Sequence, residues 1–246
     1  MKKVRIDKFL SNFGLGSRKE VRKYLKQERI TVNDEVVKNP SFHINPETDT
    51  VKFDDEILSY KEDFYYMFNK PQGYITATKD ASMPTVMDFF QDVPFHSKLF
   101  PVGRLDIDTE GLLFITTDGQ FAHRLTHPKW EVEKEYYAVV KGSIKEENLD
   151  RFKEKGIYLK KDKYQTKPFE IKVLSKSSDK SEINITVKEG KYHIVKKIME
   201  EIGNPVLYLK RVRIGPVKLD ERLSPGEFRE LTEEEIRKLK QAIKLP

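Results

Sequence analysis

The feature that most constrains this chain is the run Phe100-Pro-Val-Gly-Arg-Leu-Asp106-Ile-Asp108-Thr-Glu110-Gly-Leu-Leu-Phe-Ile-Thr-Thr-Asp118-Gly119. An apolar lead-in meets a Gly-Arg-Leu-Asp turn with a second carboxylate two residues on. A buried-looking stretch from Leu112 to Ile115 follows and stops at Asp-Gly, so the run reads as loop, strand, turn. Loops delivered by a rigid strand are where chemistry concentrates. Three readings fit the loop. Asp106, Asp108, Glu110 and Gly111 resemble the start of a calcium loop, but the twelfth position, which needs a bidentate Glu, is Thr117. Asp106 and Asp108 are spaced to share one side of an extended segment and could form an acid and base pair on a glycosidic bond. An ordinary polar turn, with Arg104 and Asp106 pairing locally, is the third.

At 246 residues the chain can hold one large domain, or a large one and a small one. Hydrophobic residues at 37% and aromatic residues at 11% support a core and exclude a disordered chain. The absence of Cys excludes disulfides and thiolate chemistry and fits a reducing cytosol. With no apolar run near the length of a membrane span and no apolar signal core behind Met1, the expected location is cytoplasmic, without a membrane partner. The formal charge of +6 is unevenly spread, with +7 in residues 1–29 and −1 in the remainder. Charge gathered in one corner suits a polyanion-binding module.

That corner begins with a short helix over Ile6 to Asn12. A second helix is expected over 17–28, with Ser17 as N-cap and Val21, Tyr24 and Leu25 at helical spacing. Arg18, Arg22 and Lys26 recur every four residues along one stripe of it. Ile30 to Val32, Asn33-Asp34 and Glu35 to Val37 form a tight hairpin, and Val51 to Phe53 with Asp54-Asp55 a further strand and turn. Over residues 3 to about 50 this order resembles the S4-type RNA-binding domain. The resemblance makes Arg5, Lys8, Ser17, Arg18, Lys19, Arg22 and Lys23 the expected contacts to RNA backbone. Polar residues 54–63 read as a linker, so the domains expected are 1–60 and 64–246.

The second domain opens with a strand over Phe64 to Phe68, turned by Asn69-Lys70-Pro71-Gln-Gly73-Tyr74. After the Asp106 stretch come a short helix over Phe121 to Leu125 and a strand over Glu133 to Val140. On that strand only one of Tyr136 and Tyr137 can face a given side. A helix over Glu146 to Lys155 and a period-two strand over Ile183 to Val187 precede a strand-to-helix passage, Glu189 to Met199. Ile194, Val195, Ile198 and Met199 form the apolar face of its helix. Val206 to Leu209 is a further strand candidate, and Thr232 with its acidic followers opens a last helix.

Gly103-Arg104-Leu105-Asp106, with Thr109, Gly111-Leu112-Leu113 and Thr117-Asp118-Gly119 in register, resembles the catalytic segment of pseudouridine synthases, specifically the RsuA-type branch. Asn69-Lys70-Pro71, Lys134-Glu-Tyr136 and Glu189-Gly190 through Lys196 are similar to its other motifs, and the likeness covers nearly the whole chain. It implies an α+β fold: a small S4-like domain, then a mostly antiparallel β-sheet with flanking helices. It also implies an isomerase that remakes the bond between uracil and ribose through a ring carbon, without cofactor or metal. Asp106 becomes the nucleophile on a flipped-out base, Tyr136 the active-site tyrosine stacked on uracil, and Lys196 the cation that pairs with Asp106. Arg104 would help hold the extruded RNA. One departure from the pattern is Ile194, where the family carries Gln, and it bears on the part played by His193. The partner implied is ribosomal RNA, small-subunit first, met by a monomer in a subunit assembly intermediate. Large-subunit RNA, a non-catalytic RNA-binding or assembly role, and a glycosidase using Asp106 and Asp108 are the alternatives.

Overall fold

The computed structural model describes residues 3–58 and 63–246. The chain forms two compact units, one of residues up to Asp63 with Phe90–Leu99, the other of Phe64–Phe89 with Phe100–Pro246. The sequence reading kept 64–246 together. What draws Phe90–Leu99 into the first unit is aromatic packing: the Phe95 ring meets Phe9 and Phe13 edge-on, with centroids 6.5 and 5.8 Å away.

In the first unit, helices Ile6–Phe13 and Arg18–Lys26 bury Ile6, Phe9, Leu10, Val21 and Leu25. Ser17 caps the second helix in a reciprocal box with Glu20. Four short strands pair in the order Glu35–Val36, Ile30–Val32, Val51–Phe53, Glu56–Ile57. Their two tight turns put Asn33 and Asp34 at φ +52° and +68°, and Asp54 and Asp55 at +47° and +67°. Two successive left-handed residues are what a two-residue hairpin needs, and Asn and Asp tolerate that conformation best after Gly. The expected linker is therefore shorter, because Glu56–Ile57 is a paired strand. Of the rest of that linker, residues 59–62 lie outside the described residues.

The second unit is built on a sheet whose main path, among the described residues, runs Glu170–Lys176, Lys180–Val187, Lys134–Lys141, Val206–Ile214, Glu110–Thr116, Tyr65–Lys70, Phe228–Glu230. Every neighbouring pair on the path is antiparallel except Val206–Ile214 with Glu110–Thr116, which is parallel. Strand Tyr65–Lys70 is buried along its whole length, and Glu110–Thr116 is buried from Gly111 onward. Such near-continuous burial of both neighbours marks the centre of a sheet covered on two sides. Helices Gly119–Thr126 and Glu233–Ala242 cover one side, where Phe121, Leu125, Leu239 and Ile243 pack with Met67, Leu112 and Phe114.

The Asp-Gly read as a turn at the strand's end is a helix cap: the Asp118 carboxylate accepts from the backbone N–H groups of Gln120 and Phe121, both at 2.9 Å. Strand Tyr65–Lys70 runs two residues past Phe68, into the Asn69-Lys70 pair that the sequence placed in the turn. The segment Glu146–Lys155 divides into a single 3₁₀ turn, Glu146–Asn148, and a short helix, Asp150–Lys155. Strand Val206–Ile214 runs five residues beyond the expected Leu209, because its far end pairs with Lys134–Tyr136.

Where the parallel strands meet, Gly111 lies opposite Arg211 at φ +101°. A Cβ there would stand 2.3 Å from the Arg211 carbonyl oxygen and 2.8 Å from its nitrogen. Neither backbone atom can move without breaking the sheet, and the conformation is itself costly for an L side chain. Gly111→Ala is expected to destabilise the protein by at least about 2 kcal/mol, adding clash to backbone strain. Urea unfolding checks it, and a midpoint equal to wild type would contradict the packing described.

Candidate active site

The loop Gly103–Thr109 enters the central strand Glu110–Thr116, and its backbone is fastened from below by residues 70–76. The Lys70 side chain is fully buried, and its Nζ donates to the carbonyl oxygens of Pro71, Asp106 and Thr109, each at 3.0 Å. Thr76 Oγ1 donates to the Leu105 carbonyl at 2.7 Å and accepts from the Leu105 N–H at 3.1 Å. The Gly73 N–H donates to the Ile107 carbonyl at 2.8 Å. Leu105, Asp106, Ile107 and Thr109 thus give backbone groups to one short segment, which fixes where the Asp106 carboxylate points.

That carboxylate faces a cavity of about 450 Å³ lined by Arg104, Lys134, Tyr136, Tyr192, His193, Lys196 and Arg211 among others. One Asp106 oxygen lies 3.3 Å from His193 Nε2 and the other 3.2 Å from Lys196 Nζ. Lys196 also donates to Asp108 at 2.6 Å. It projects from helix Ile194–Ile202, which is anchored by burial of Ile194, Val195, Ile198 and Met199, the apolar face legible in the sequence. Burial alone would lower the Lys196 ammonium, but its bonds and charge contacts to Asp108 and Asp106 outweigh it and hold the group above its ordinary value. Burial likewise opposes ionisation of Asp108, and the Lys196 hydrogen bond and charge overturn it, leaving that carboxyl lowered. His193 is the residue before the helix and sits at φ +55°, a strained value for a non-glycine residue, beside the Asp106 carboxylate. Ile194, in the place of the expected Gln, is buried with the helix's apolar face.

The two tyrosines of strand Lys134–Lys141 separate by alternation. Tyr136 lines the cavity. Tyr137 lines a different one of about 510 Å³, where it meets Tyr208. Cross-strand from Tyr136 is Arg211, which is 3% exposed. Its Nε donates to the Leu112 carbonyl at 2.8 Å, one guanidinium nitrogen lies 3.5 Å from the Tyr136 hydroxyl, and the other is buried with no hydrogen-bond partner among the described residues. Sequence reasoning ended the strand at Leu209 and so missed Arg211. Lys134, matched only as part of a motif, is pushed down to about 8 by burial and then by the Arg211 charge. Among the described residues that line the cavity, Asp106 is the one carboxylate beside Arg104, Lys134, Lys191, Lys196 and Arg211. Arg104 is exposed on the cavity's lining, with no hydrogen bond or ion pair to a described residue.

The expected RNA-contact residues of the first unit fall into two groups. Lys8, Arg18, Lys19 and Lys23 are exposed or at the surface of the helices and form no ion pair among the described residues. Arg5 and Arg22 instead flank Asp7, a fully buried carboxylate: Arg5 bonds it twice, at 3.1 and 2.8 Å, and Arg22 lies 3.7 Å away. Ser17 is engaged in the helix cap.

The family profile of RNA pseudouridylate synthases matches residues 64–201, and the S4 domain profile matches residues 4–51. The chain belongs to the RNA pseudouridylate synthase family, isomerases that act on RNA. Among relatives it is similar to "Ribosomal small subunit pseudouridine synthase A" of Haemophilus influenzae, 42% identical over 96% of this chain and 99% of that one. It is also similar to the "Uncharacterized RNA pseudouridine synthase YtzG" of Bacillus subtilis, 43% identical over 95% and 97%. Among solved structures, a pseudouridylate synthase crystal structure superposes with TM-score 0.66 at 40% identity, covering 96% of this chain and 99% of that one. The expected fold class is the one found, an S4 domain followed by a mostly antiparallel catalytic sheet.

Burial pushes the Lys70 ammonium down to about 8 from an ordinary 10.5, against the pull of the Asp108, Asp106 and Glu110 carboxylates. Between those values the unfolded chain holds a proton that the folded chain has released, so this group's contribution to stability rises with pH across that window. Lys70→Met is expected to cost about 2–4 kcal/mol near neutral pH by stranding three carbonyls. Urea midpoints should also climb less between pH 8 and 10.5 in the variant than in wild type. Parallel profiles for the two proteins would count against a buried, titrating Lys70.

Proposed function

We propose that this protein converts one specific uridine of ribosomal RNA, in the small subunit, into pseudouridine, with Asp106 as the nucleophile acting on a flipped-out nucleotide. The observation that carries the reading is the Asp106 carboxylate held by Lys196 and His193 inside a nucleoside-sized cavity that also presents Tyr136. The small-subunit assignment rests on the names of full-length relatives, including those of Haemophilus influenzae and Escherichia coli, the latter 39% identical.

The isomerisation breaks the bond from N1 of uracil to C1′ of ribose and makes one from C5 to C1′. The C5 proton leaves and N1 gains one, so atoms and electrons balance within the substrate. A base paired or stacked in RNA offers neither position to a side chain, so it must be extruded first. Asp106 is positioned as the nucleophile by a loop hydrogen-bonded to residues 70–76 and by the Lys196 ammonium 3.2 Å away. Tyr136 offers a ring face to the uracil, and its hydroxyl is steadied by Arg211. Lys8, Arg18, Lys19 and Lys23 neutralise phosphates, with Arg104 gripping the extruded strand. The protein works as a cytoplasmic monomer on a subunit assembly intermediate, residues 1–60 gripping RNA and 64–246 carrying the chemistry.

Pseudouridine mapping of ribosomal RNA tests the reaction and the target together, in cells lacking the protein and in cells restored with wild type or Asp106→Ala. One small-subunit site should vanish in the deletion and return only with wild type. In vitro, Asp106→Asn should lose more than about 10³-fold in kcat and retain RNA binding. No change at any ribosomal site, or activity in the Asp106 variants, would sink the reading.

Arg22 is a poor probe of the basic helix because reversing it would leave the buried Asp7 beside a second carboxylate. Lys19→Glu with Lys23→Glu avoids that. The double variant should bind ribosomal RNA more weakly and lower the slope of log affinity against log salt by about 1–2. An unchanged slope would remove this helix from the RNA interface.

A further inference from the structure

Tyr192 lies in the cavity wall and yet is 70% exposed, the most open large hydrophobic side chain among the described residues. Single exposed aromatics are common and need no explanation. This one is held in place. Its ring is stacked on the His193 imidazole, with centroids 3.6 Å apart and planes 21° from parallel. His193 is itself fixed by its left-handed backbone and by the Asp106 carboxylate 3.3 Å from its Nε2. The Tyr192 hydroxyl makes no hydrogen bond among the described residues. Lys197, paired with Asp162, stands over the ring with its ammonium 5.9 Å from the centroid, and the residue remains 70% exposed. Lys196, on the same cavity wall, is paired with Asp106 and Asp108.

A flat ring oriented in advance, largely exposed at the cavity wall and one residue from the group that touches the nucleophile matches the chemistry of an unpaired nucleobase. Base-aromatic stacking tolerates any base identity. Extruding a uridine also costs stacking in the RNA, which a new stack at the cavity would offset. We propose that the exposed ring of Tyr192 is a stacking platform for a base of the RNA strand that neighbours the target uridine. The platform couples capture of that base to delivery of the uridine onto Asp106. The proposal rests on the RNA isomerase reading above and adds a second base-binding subsite to it.

The test uses the full chain and an in vitro transcript of small-subunit ribosomal RNA in two arms. In the first, binding is measured in an Asp106→Asn background with Tyr192, Tyr192→Ala or Tyr192→Phe across a salt series. Tyr192→Ala should weaken binding roughly 5–50-fold with an unchanged salt slope, and Tyr192→Phe should stay within about twofold of the parent. In the second, tritium release from uridine C5 of the labelled transcript is followed with Asp106 intact and, as a control, with Asp106→Asn. Tyr192→Ala should raise KM by a similar factor and leave the saturated single-turnover rate within about twofold. Equal binding by Tyr192→Ala and parent, or a Tyr192→Phe defect as large as that of Tyr192→Ala, overturns the platform. Tritium release by Asp106→Asn overturns the nucleophile reading instead, and the binding arm still decides the platform.

Discussion

The ammonium of Lys70, with no access to solvent, holds the active-site loop from inside the protein. It bonds the carbonyls of Asp106 and Thr109 on the loop and of Pro71 on its own segment. A buried lysine is unfavourable unless its three donors are met, and meeting them with carbonyls from a distant loop leaves that loop one conformation. Thr76 and Gly73 add bonds to the carbonyls of Leu105 and Ile107. The result is a carboxylate presented by rigid backbone, which preorganised chemistry requires. Lys196 and His193 then act on an Asp106 that is already in position.

Above the loop the site depends on a sheet that changes direction once. The parallel pairing of Val206–Ile214 with Glu110–Thr116 brings Arg211 opposite Gly111 and across from Tyr136. Only a glycine permits that approach, since a Cβ would overlap the Arg211 backbone. From there Arg211 reaches both the Leu112 carbonyl and the Tyr136 hydroxyl, tying the strand that follows Asp106 to the strand of Tyr136. The same alternation that brings Tyr136 into the cavity sends Tyr137 to the other side. In the first unit a comparable logic holds on a smaller scale: buried Asp7 organises Arg5 and Arg22, while Lys8, Arg18, Lys19 and Lys23 form no ion pair with a described residue.

Much of this was legible in the sequence because it is local. The Ser17 cap, the Asn33-Asp34 turn, the apolar stripe of helix Ile194–Ile202 and the strand Leu112–Ile115 all follow from residues a few positions apart, where helical spacing, alternation and turn chemistry operate. Asp106, Tyr136 and Lys196 were named from motifs and fall in one cavity. What failed to show was set by distant partners. Lys70 looks like a loop residue until the carbonyls 36 and 39 positions away are found around it. Arg211 follows the strand predicted to end at Leu209, and only its pairing with Tyr136 continues that strand. Phe90–Leu99 has no local signal that assigns it to the first unit.

By itself the sequence determined most of the elements, the order of the two units and the family motifs, because propensity, periodicity and motif are properties of neighbours along the chain. The tertiary structure decided which tyrosine faces the cavity, that His193 reaches Asp106 despite Ile194 beside it, and that two of the basic residues are shared with a buried carboxylate. Those outcomes are distances between side chains from 2 to 87 positions apart in sequence. They exist only once burial has fixed the backbone that carries them.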